Sequence, residues 1–277
     1  MIDRRQAALL LAGGLTACST SPKARAAAPA HSHDDHKVRS EDVHNMDDMP
    51  DSWNGNEVIA MVMYPGMTAL DLVGPQYMFA SMMGAKVHLV AETLDPVMSD
   101  TSMAIMPTTD FANAPKDVTF LCVPGGITGT LNAMKNDAVM DFVADRGERA
   151  DYVTSVCTGS MILGAAGLLD GYRATSHWVS LDALPAFGAI PVAERIVEDR
   201  NRITAAGVSA GLDFGLEIVG RQRGQEYAEV VQLLAEYAPE PPYAAGHYPT
   251  APKAAKDSLN TMFEGLTDRF ASIGTVR

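Results

Sequence analysis

Short apolar runs alternate with amphipathic stretches from Glu57 onward, and this alternation constrains the fold more than any other feature of the chain. The runs lie at 58–63, 86–91, 119–123, 152–156 and 196–203, the last interrupted by turn residues at 199–201. Most are apolar throughout, as are the strands of a parallel sheet that is covered on both faces. The pattern predicts an α/β fold with a mostly parallel central sheet between two layers of helices.

Helices are predicted between and after these strands, from the spacing of their apolar residues. They lie at 137–149, 210–220 and 227–237. The second contains Gly211 and Gly215, one turn apart, so its backbone is expected to lie close to the sheet. Prolines end the third helix, and a helical tail is expected over 253–277.

The first 18 residues have the layout of an export signal, with Arg4 and Arg5 ahead of a short apolar stretch. Residues 15–18 resemble a bacterial lipobox, in which Cys18 would carry the lipid, and the paired arginines resemble a twin-arginine signal. An ordinary signal cut near 24–26 is the alternative. We therefore expect an exported bacterial protein that is periplasmic or held at the membrane only through a lipid anchor.

Residues 19–56 are polar and lack apolar periodicity, which predicts a disordered tether ahead of a folded domain over 57–252. The tether contains four histidines, His31, His33, His36 and His44. Such a tract could bind Zn²⁺ or Cu²⁺ weakly, but nothing rigid fixes a coordination geometry. We interpret it as a linker and predict no metal site.

Composition excludes several function classes. The 34 acidic residues outnumber the 21 basic ones, and a net charge of −13 argues against an extended phosphate-binding face and therefore against nucleic acid as a partner. The sequence contains no apolar run of about 18 or more residues, which is the length needed to span a bilayer. Three cysteines are too few for a disulfide framework in a chain of 277 residues. No phosphate-binding loop or dinucleotide motif follows Glu57, so no cofactor is predicted.

The sequence Cys-Thr-Gly-Ser at 157–160 comes between a buried strand and a helix-compatible stretch. This order is typical of a nucleophile elbow, in which the strand-to-helix turn exposes the reactive atom at the edge of the sheet. Cys157 would lie at a helix N-terminus, which favours the thiolate. The alternative is a structural core cysteine, an interpretation that suits Cys122 within its apolar strand.

Three residues are candidates to support the cysteine. Asp71, flanked by leucines after the first strand, would have a raised pKa suited to proton transfer, unless it caps a helix beginning near Pro75. His177 could form a Cys-His pair, contribute with Gly126 to oxyanion or substrate binding, or be a packed core residue. Thr158 could bind substrate, shuttle a proton or only cap the helix.

The sequence Pro-Gly-Gly at 124–126 closes another buried strand. Two glycines there would let backbone amides, that of Gly126 among them, point into the crevice as an oxyanion-type hole requires. Alone the pattern is weak, because Pro-Gly-Gly also forms turns.

Taken together, these motifs resemble the ThiJ/PfpI superfamily, whose fold is of the class I glutamine-amidotransferase type. The resemblance covers residues 57 to about 252 and includes Leu-Asp-Leu with Gly-Pro at 70–75. Within the superfamily, Asp71 and Thr158 are similar to the isocyanide hydratase branch, since other branches carry Glu and then His or Ala at these positions.

The resemblance implies a flavodoxin-like three-layer sandwich, a homodimer, and cofactor-independent hydration of isocyanides to N-substituted formamides. It also implies that Cys157 is the nucleophile, supported by Asp71 and Thr158. Attack by the thiolate on the isocyanide carbon, with a proton from Asp71 or Thr158, gives a thioimidate that water converts to the formamide. Because the matched branch lacks an export signal, two alternatives stay open: an exported redox or ligand sensor that uses Cys157 without turnover, and a glyoxalase-type or hydrolytic activity.

Overall fold

A seven-stranded sheet is the central element of the fold in the computed structural model, which describes residues 49–274. The described residues form eleven strands, which are β1 (Val58–Val62), β2 (Lys86–Ala91), β3 (Val97–Met98), β4 (Ala104–Ile105), β5 (Thr109–Asp110), β6 (Phe120–Val123), β7 (Tyr152–Val156), β8 (Arg173–Ala174), β9 (Ile190–Pro191), β10 (Ile196–Asp199) and β11 (Arg202–Ala205). Of these, β3 with β4 and β8 with β9 form two small separate sheets. The order in the seven-stranded sheet is β10-β11-β7-β6-β1-β2-β5, and all neighbours are parallel except β10 and β11. The predicted mostly parallel sheet is confirmed.

The last predicted strand is in fact two strands. β10 and β11 pair antiparallel, with Ile196 opposite Ala205 and Asp199 opposite Arg202, which leaves residues 200–201 as the turn. Arg200 has φ +55°, in the left-handed region that two-residue hairpin turns use. The turn residues at 199–201 predicted an interruption of the strand, but they did not predict that the chain reverses direction there.

Helices cover both faces of the sheet. They are α1 (Ala69–Ala80), α2 (Thr128–Ala133), α3 (Asp137–Arg149), α4 (Gly159–Ala165), α5 (Ala210–Arg223), α6 (Gln225–Leu234), α7 (Lys253–Met262) and α8 (Leu266–Gly274). Helices α1, α5 and α6 pack on one another in one layer, and α2, α3 and α4 in the other. The three-layer α/β sandwich is confirmed. Over residues 49–274, no helix has both the length and the apolar character needed to cross a bilayer.

The glycines of α5 bring it against α1 rather than mainly against the sheet. A Cβ atom on Gly215 would lie 2.9 Å from Met78 Cβ, and one on Gly211 would lie 3.1 Å from Pro75 Cδ. Gly211 also lies against the sheet, since its added Cβ would be 3.4 Å from the Val156 side chain. The prediction of close approach to the sheet is therefore half right, and the tighter packing fixes the position of α1.

The C-terminal segment packs on the domain beside the region that follows His177. The Trp178 ring stacks on Tyr248 with centroids 4.3 Å apart. Phe270 is fully buried, and Thr267 Oγ1 donates a hydrogen bond of 3.1 Å to the Val179 carbonyl. Through these contacts, α8 packs as part of the hydrophobic core.

A buried ion pair joins the start of β1 to the end of α5. The Arg223 Nη1 and Nη2 atoms donate to Glu57 Oε1 and Oε2, each at 2.5 Å, and Nε donates to the Trp53 carbonyl. The Arg223 guanidinium holds the pKa of Glu57 below its usual range. Ordered packing thus begins ahead of the predicted boundary at residue 57.

Replacing Arg223 with Met should lower the free energy of unfolding by about 3 kcal/mol, because Glu57 would stay buried without its partner charge. Denaturant unfolding of the full chain measures this. The matched control is Arg149→Met, which breaks an exposed pair with Asp145 and should change stability by less than about 1 kcal/mol. Equal losses in the two variants would contradict the buried-pair account.

Candidate active site

The site lies at the carboxyl ends of β1, β6 and β7. The chain places β2 on one side of β1 and β6 on the other, so the direction of strand addition changes between β1 and β6. In open α/β sheets, ligands bind in the crevice outside the strand ends at such a switch point. The segments that follow these three strands carry Asp71, in the first turn of α1, and Gly125 and Cys157.

Cys157 occupies a constrained elbow between β7 and α4. Its φ is +58°, a left-handed conformation that a non-glycine side chain adopts only when its surroundings impose it. The Cys157 amide donates to the Ala205 and Ala206 carbonyls at 3.0 and 2.7 Å. Its carbonyl accepts from the hydroxyls of Ser160 and Ser176 at 3.2 and 3.1 Å. The predicted strand-to-helix elbow is confirmed.

Asp71 lies in the first turn of α1 and is fully buried. The N-cap is Thr68 and the helix begins six residues before Pro75, so the alternative that Asp71 caps a helix is wrong. Asp71 Oδ2 accepts a hydrogen bond of 2.9 Å from the Gly125 amide. Oδ1 is also buried and makes no hydrogen bond that meets the usual geometry with any residue from 49 to 274.

Burial raises the pKa of Asp71 to about 7, against the opposing effects of the Gly125 amide and the nearby Cys157 thiol. The charge of Asp100 adds to the rise. Desolvation disfavours the charged carboxylate, which is the cause the sequence predicted. Asp71 is therefore divided between acid and carboxylate near neutral pH.

The Cys157 thiol does not have the lowered pKa expected from its position. Burial raises its pKa well above the usual value, and Asp71 raises it further through its charge and through contact with the thiol. The amide of Thr158 at the start of α4 opposes this rise, and the Thr158 side chain does so to a lesser extent. The helix N-terminus is present but desolvation outweighs it. Cys157 is a thiol at rest and has to lose its proton as it reacts.

Thr158 does not cap α4 with its side chain. Its Oγ1 instead accepts hydrogen bonds from the amides of Gly126 and Ile127, at 3.0 and 3.3 Å. A Cβ on Gly125 would lie 2.5 Å from Thr158 N and 2.9 Å from Asp71 Oδ2, so only glycine fits between them. The predicted oxyanion role of Gly126 is therefore not met in this arrangement, because the two glycine amides hold side chains instead.

His177 is not paired with Cys157. Its Nδ1 accepts a hydrogen bond of 3.3 Å from the Val179 amide, so the neutral ring carries its proton on Nε2. Burial lowers the pKa of His177 to about 4. Within the described part of the chain, no hydrogen bond or charge interaction joins His177 to Cys157. The structure favours the packed-residue alternative.

Two residues at the site escaped the sequence analysis. The Tyr64 hydroxyl donates to the Pro124 carbonyl at 2.6 Å and lies 3.2 Å from Thr130 Oγ1, which in turn lies 2.8 Å from Thr158 Oγ1. Tyr64 could have been noticed as a polar residue just beyond the end of a buried strand, as Cys157 was. Nothing in the sequence marks Thr130, which is brought in by the short helix α2.

The other two cysteines, Cys122 and Cys18, were predicted to be a core residue and a lipid attachment point. Cys122 is fully buried on β6, and burial raises its pKa to about 12, so its interpretation as a core residue is confirmed. Cys122 and Cys157 are both free thiols. Cys18 lies outside the described residues.

The folded domain that carries this site matches one family of known proteins. The sequence profile of the DJ-1/PfpI family matches residues 57–221. This chain belongs to the DJ-1/PfpI family. The resemblance inferred from the motifs, under the alternative name ThiJ/PfpI, is thus confirmed.

Relatives of this DJ-1/PfpI protein include an enzyme and a regulator. It is 46% identical over 199 residues to the isonitrile hydratase of Pseudomonas putida, which covers 72% of this chain and 86% of that enzyme. A solved ThiJ/PfpI family protein from Pseudomonas syringae has 51% sequence identity and a TM-score of 0.81, over 86% of this chain and 99% of that one. The transcriptional regulator GbdR of Pseudomonas aeruginosa is 33% identical over 144 residues, which are 51% of this chain and 38% of the regulator.

Replacing Asp71 with Asn keeps the shape of the side chain but removes its ionisation. The pKa of Asp71 is about 7 in the folded protein and about 4 in an unfolded chain, so the stability it contributes is complete below about pH 4. That stability is lost as pH rises from about 4 through 7, because the unfolded chain releases the Asp71 proton there while the folded protein still holds it. The melting temperature of Asp71→Asn should therefore gain on that of the wild type as pH is raised from about 4 to about 8.

Thermal unfolding at several pH values measures this gain. Asp141→Asn, at an exposed position of α3, serves as the control. A difference between Asp71→Asn and wild type that does not depend on pH would contradict the raised pKa.

Proposed function

We propose that this protein hydrates isocyanides, also called isonitriles, to N-substituted formamides. The observation that carries the proposal is the buried carboxyl of Asp71, whose pKa is about 7, beside the Cys157 thiol at the elbow. Such a carboxyl can take a proton from the thiol and return it within one reaction. The similarity to isonitrile hydratase over most of that enzyme's length supports the same conclusion.

The first step forms a covalent intermediate. As Cys157 Sγ attacks the isocyanide carbon, the S–H bond breaks and its proton passes to the Asp71 carboxylate. The carbon then takes the proton from Asp71, which leaves a C–S bond and a C–H bond in a thioimidate. Proton transfer in step with attack suits a thiol whose pKa is raised.

The second step uses one water molecule. The oxygen of water adds to the thioimidate carbon and both water protons leave it, one passing to the Asp71 carboxylate and the other to the nitrogen, so that the adduct carries an oxyanion. The tetrahedral adduct then expels the sulfur, the C–S bond breaks, and the proton returns to Cys157. The formamide is released, and no electron is gained or lost in either step.

The electrostatics of the site agree with an uncharged substrate. Cys157, Thr158 and Asp71 are all buried, and in the resting state the thiol is neutral. An isocyanide can enter such surroundings without leaving an unpaired charge, whereas a charged molecule would have to be desolvated.

A redox sensor built on the same cysteine is a less well supported hypothesis. Peroxides oxidise the thiolate rather than the thiol, and burial together with Asp71 disfavours the thiolate of Cys157. The match to a transcriptional regulator concerns a domain shared with this chain and leaves the sensing chemistry open.

Full-length wild-type protein should convert an alkyl isocyanide to the formamide, and Cys157→Ala should abolish the reaction. Asp71→Asn should reduce kcat by about 10²–10⁴, the usual contribution of a positioned acid–base group. Activity should rise with pH through about 7, because the carboxylate of Asp71 has to accept the thiol proton. Formation of formamide, followed by chromatography, measures each quantity.

Cys122→Ala removes a thiol away from the proposed chemistry and is expected to retain activity. Hydration at an undiminished rate in Cys157→Ala would refute the mechanism. Absence of turnover in the wild type, together with rapid and reversible oxidation of Cys157, would favour the sensor.

We further propose that the chain is exported, carries a lipid on Cys18 and acts as a homodimer. The lipobox-like residues 15–18 support the first two points, and the resemblance of the folded domain to its superfamily supports the third. A labelled fatty acid fed to cells of the host bacterium should be incorporated into the wild-type protein but not into Cys18→Ala. Equal labelling of the two would exclude Cys18 as the attachment point.

A further inference from the structure

Three buried hydroxyl groups form a chain that starts at the residue after the nucleophile. Thr158 Oγ1 lies 2.8 Å from Thr130 Oγ1, and Thr130 Oγ1 lies 3.2 Å from the Tyr64 hydroxyl oxygen. The Tyr64 hydroxyl is 2.6 Å from the carbonyl oxygen of Pro124. All three hydroxyl-bearing residues are almost completely buried. This chain of hydroxyl groups is thus closed to solvent, and it ends on a carbonyl oxygen, which can only accept a hydrogen bond.

The direction of every hydrogen bond in this chain follows from that end. A carbonyl has no proton, so Tyr64 has to donate to Pro124 and its single proton is used there. Tyr64 can then only accept from Thr130. Because the Thr130 proton is committed to Tyr64, Thr130 can only accept from Thr158. Burial keeps Tyr64 protonated by raising its pKa well above the usual value.

The Thr158 hydroxyl can therefore make no further hydrogen bond. It donates to Thr130, and its two lone pairs accept from the amides of Gly126 and Ile127. A hydroxyl group makes at most one donated and two accepted hydrogen bonds. The Thr158 side chain lies close enough to Cys157 that it already lowers the pKa of the thiol. Among residues 49–274, however, no hydrogen bond of ordinary geometry joins Thr158 Oγ1 to the Cys157 sulfur, whereas Thr130, Gly126 and Ile127 all bond to that oxygen.

We propose that Tyr64 and Thr130 are positioning residues, which turn the hydroxyl proton of Thr158 away from Cys157 and commit its oxygen to the amides of Gly126 and Ile127. Thr158 then acts as an acceptor that holds the loop after β6. Its proton is not available to the thiolate or to a substrate.

The consequence for catalysis rests on the proposed function. If the protein hydrates isocyanides, proton delivery falls to Asp71 alone, since the other candidate donor is committed elsewhere. The geometry of Ile127 agrees with a holding role for Thr158. Ile127 has φ +43°, a conformation unfavourable for a β-branched residue, and its amide is one of the two that Thr158 binds.

The pKa of Cys157 reports where the Thr158 proton points. Asp71, from the first turn of α1, is the charged side chain that acts on the thiol among the described residues, and the variants below leave it in place. Thr130→Val is isosteric and removes the acceptor of the Thr158 proton. The freed proton would turn to the sulfur and stabilise the thiolate, so the pKa of Cys157 should fall by about half a unit or more.

The measurement is the rate of iodoacetamide alkylation of Cys157 in the full-length protein as a function of pH. Peptide mass mapping separates Cys157 from Cys18 and Cys122. Since no isocyanide is involved, the result stands whether or not the protein proves to be a hydratase. Thermal unfolding of each variant verifies that it is folded.

The variants form a cycle. Thr130→Ser keeps the hydroxyl and should leave the pKa of Cys157 within about 0.2 units of wild type. Thr158→Val alone should not raise it, because the Thr158 proton is not on the sulfur to begin with. Adding Thr158→Val to Thr130→Val should cancel the fall. Tyr64→Phe should produce a smaller fall, since Thr130 can still accept.

An unchanged or raised pKa in folded Thr130→Val would overturn the proposal, as would a fall that persists in the double variant. If Thr130→Val does not fold, Thr158→Val decides alone: a raised pKa of Cys157 would mean that Thr158 donates to the sulfur. An unchanged pKa in Tyr64→Phe would overturn the assignment of Tyr64.

Discussion

The site depends on two hydrogen bonds from adjacent backbone amides. Gly125 donates to the Asp71 carboxyl and Gly126 donates to the Thr158 hydroxyl, so one loop holds a side chain from α1 and another from the elbow. The loop can come this close only because Gly125 and Gly126 carry no side chains. A Cβ on Gly126 would lie 2.4 Å from the Gly66 carbonyl oxygen. Backbone donors are well suited to this task because they are fixed by the sheet and lose little entropy on bonding.

The same crowding explains why the two reactive groups have raised pKa values. The loops after β1, β6 and β7 approach so closely that Asp71 and Cys157 have almost no contact with water. A carboxyl and a thiol buried together both resist ionisation, and the charge of Asp71 further disfavours the thiolate of Cys157. The pair therefore holds a proton that either group can carry, which a solvent-exposed thiolate beside an ordinary carboxylate would not do.

Sequence patterns predicted those features that depend on neighbours along the chain. The alternation of apolar runs and helices predicted the sheet, and the strand, cysteine and small residues predicted the elbow. The burial of Asp71 was also foreseen, from its flanking leucines. The state of the Cys157 thiol was not, because the desolvation that outweighs the helix N-terminus comes from loops distant in sequence. The hydroxyl chain was missed for the same reason: Tyr64 and Thr130 are 66 residues apart and meet only in the folded protein. His177 has a suitable residue type but is turned to its own backbone, an orientation no pattern records.

The chain enters the fold at the edge of the sheet opposite the elbow. Trp53, Glu57 and Arg223 lie together where β1 begins, whereas Cys157 follows the end of β7, which runs parallel to β1 within the same sheet. A strand of five residues separates the two edges by about 16 Å. The segment at Trp53 thus joins the domain at the opposite end of the parallel strands from Cys157.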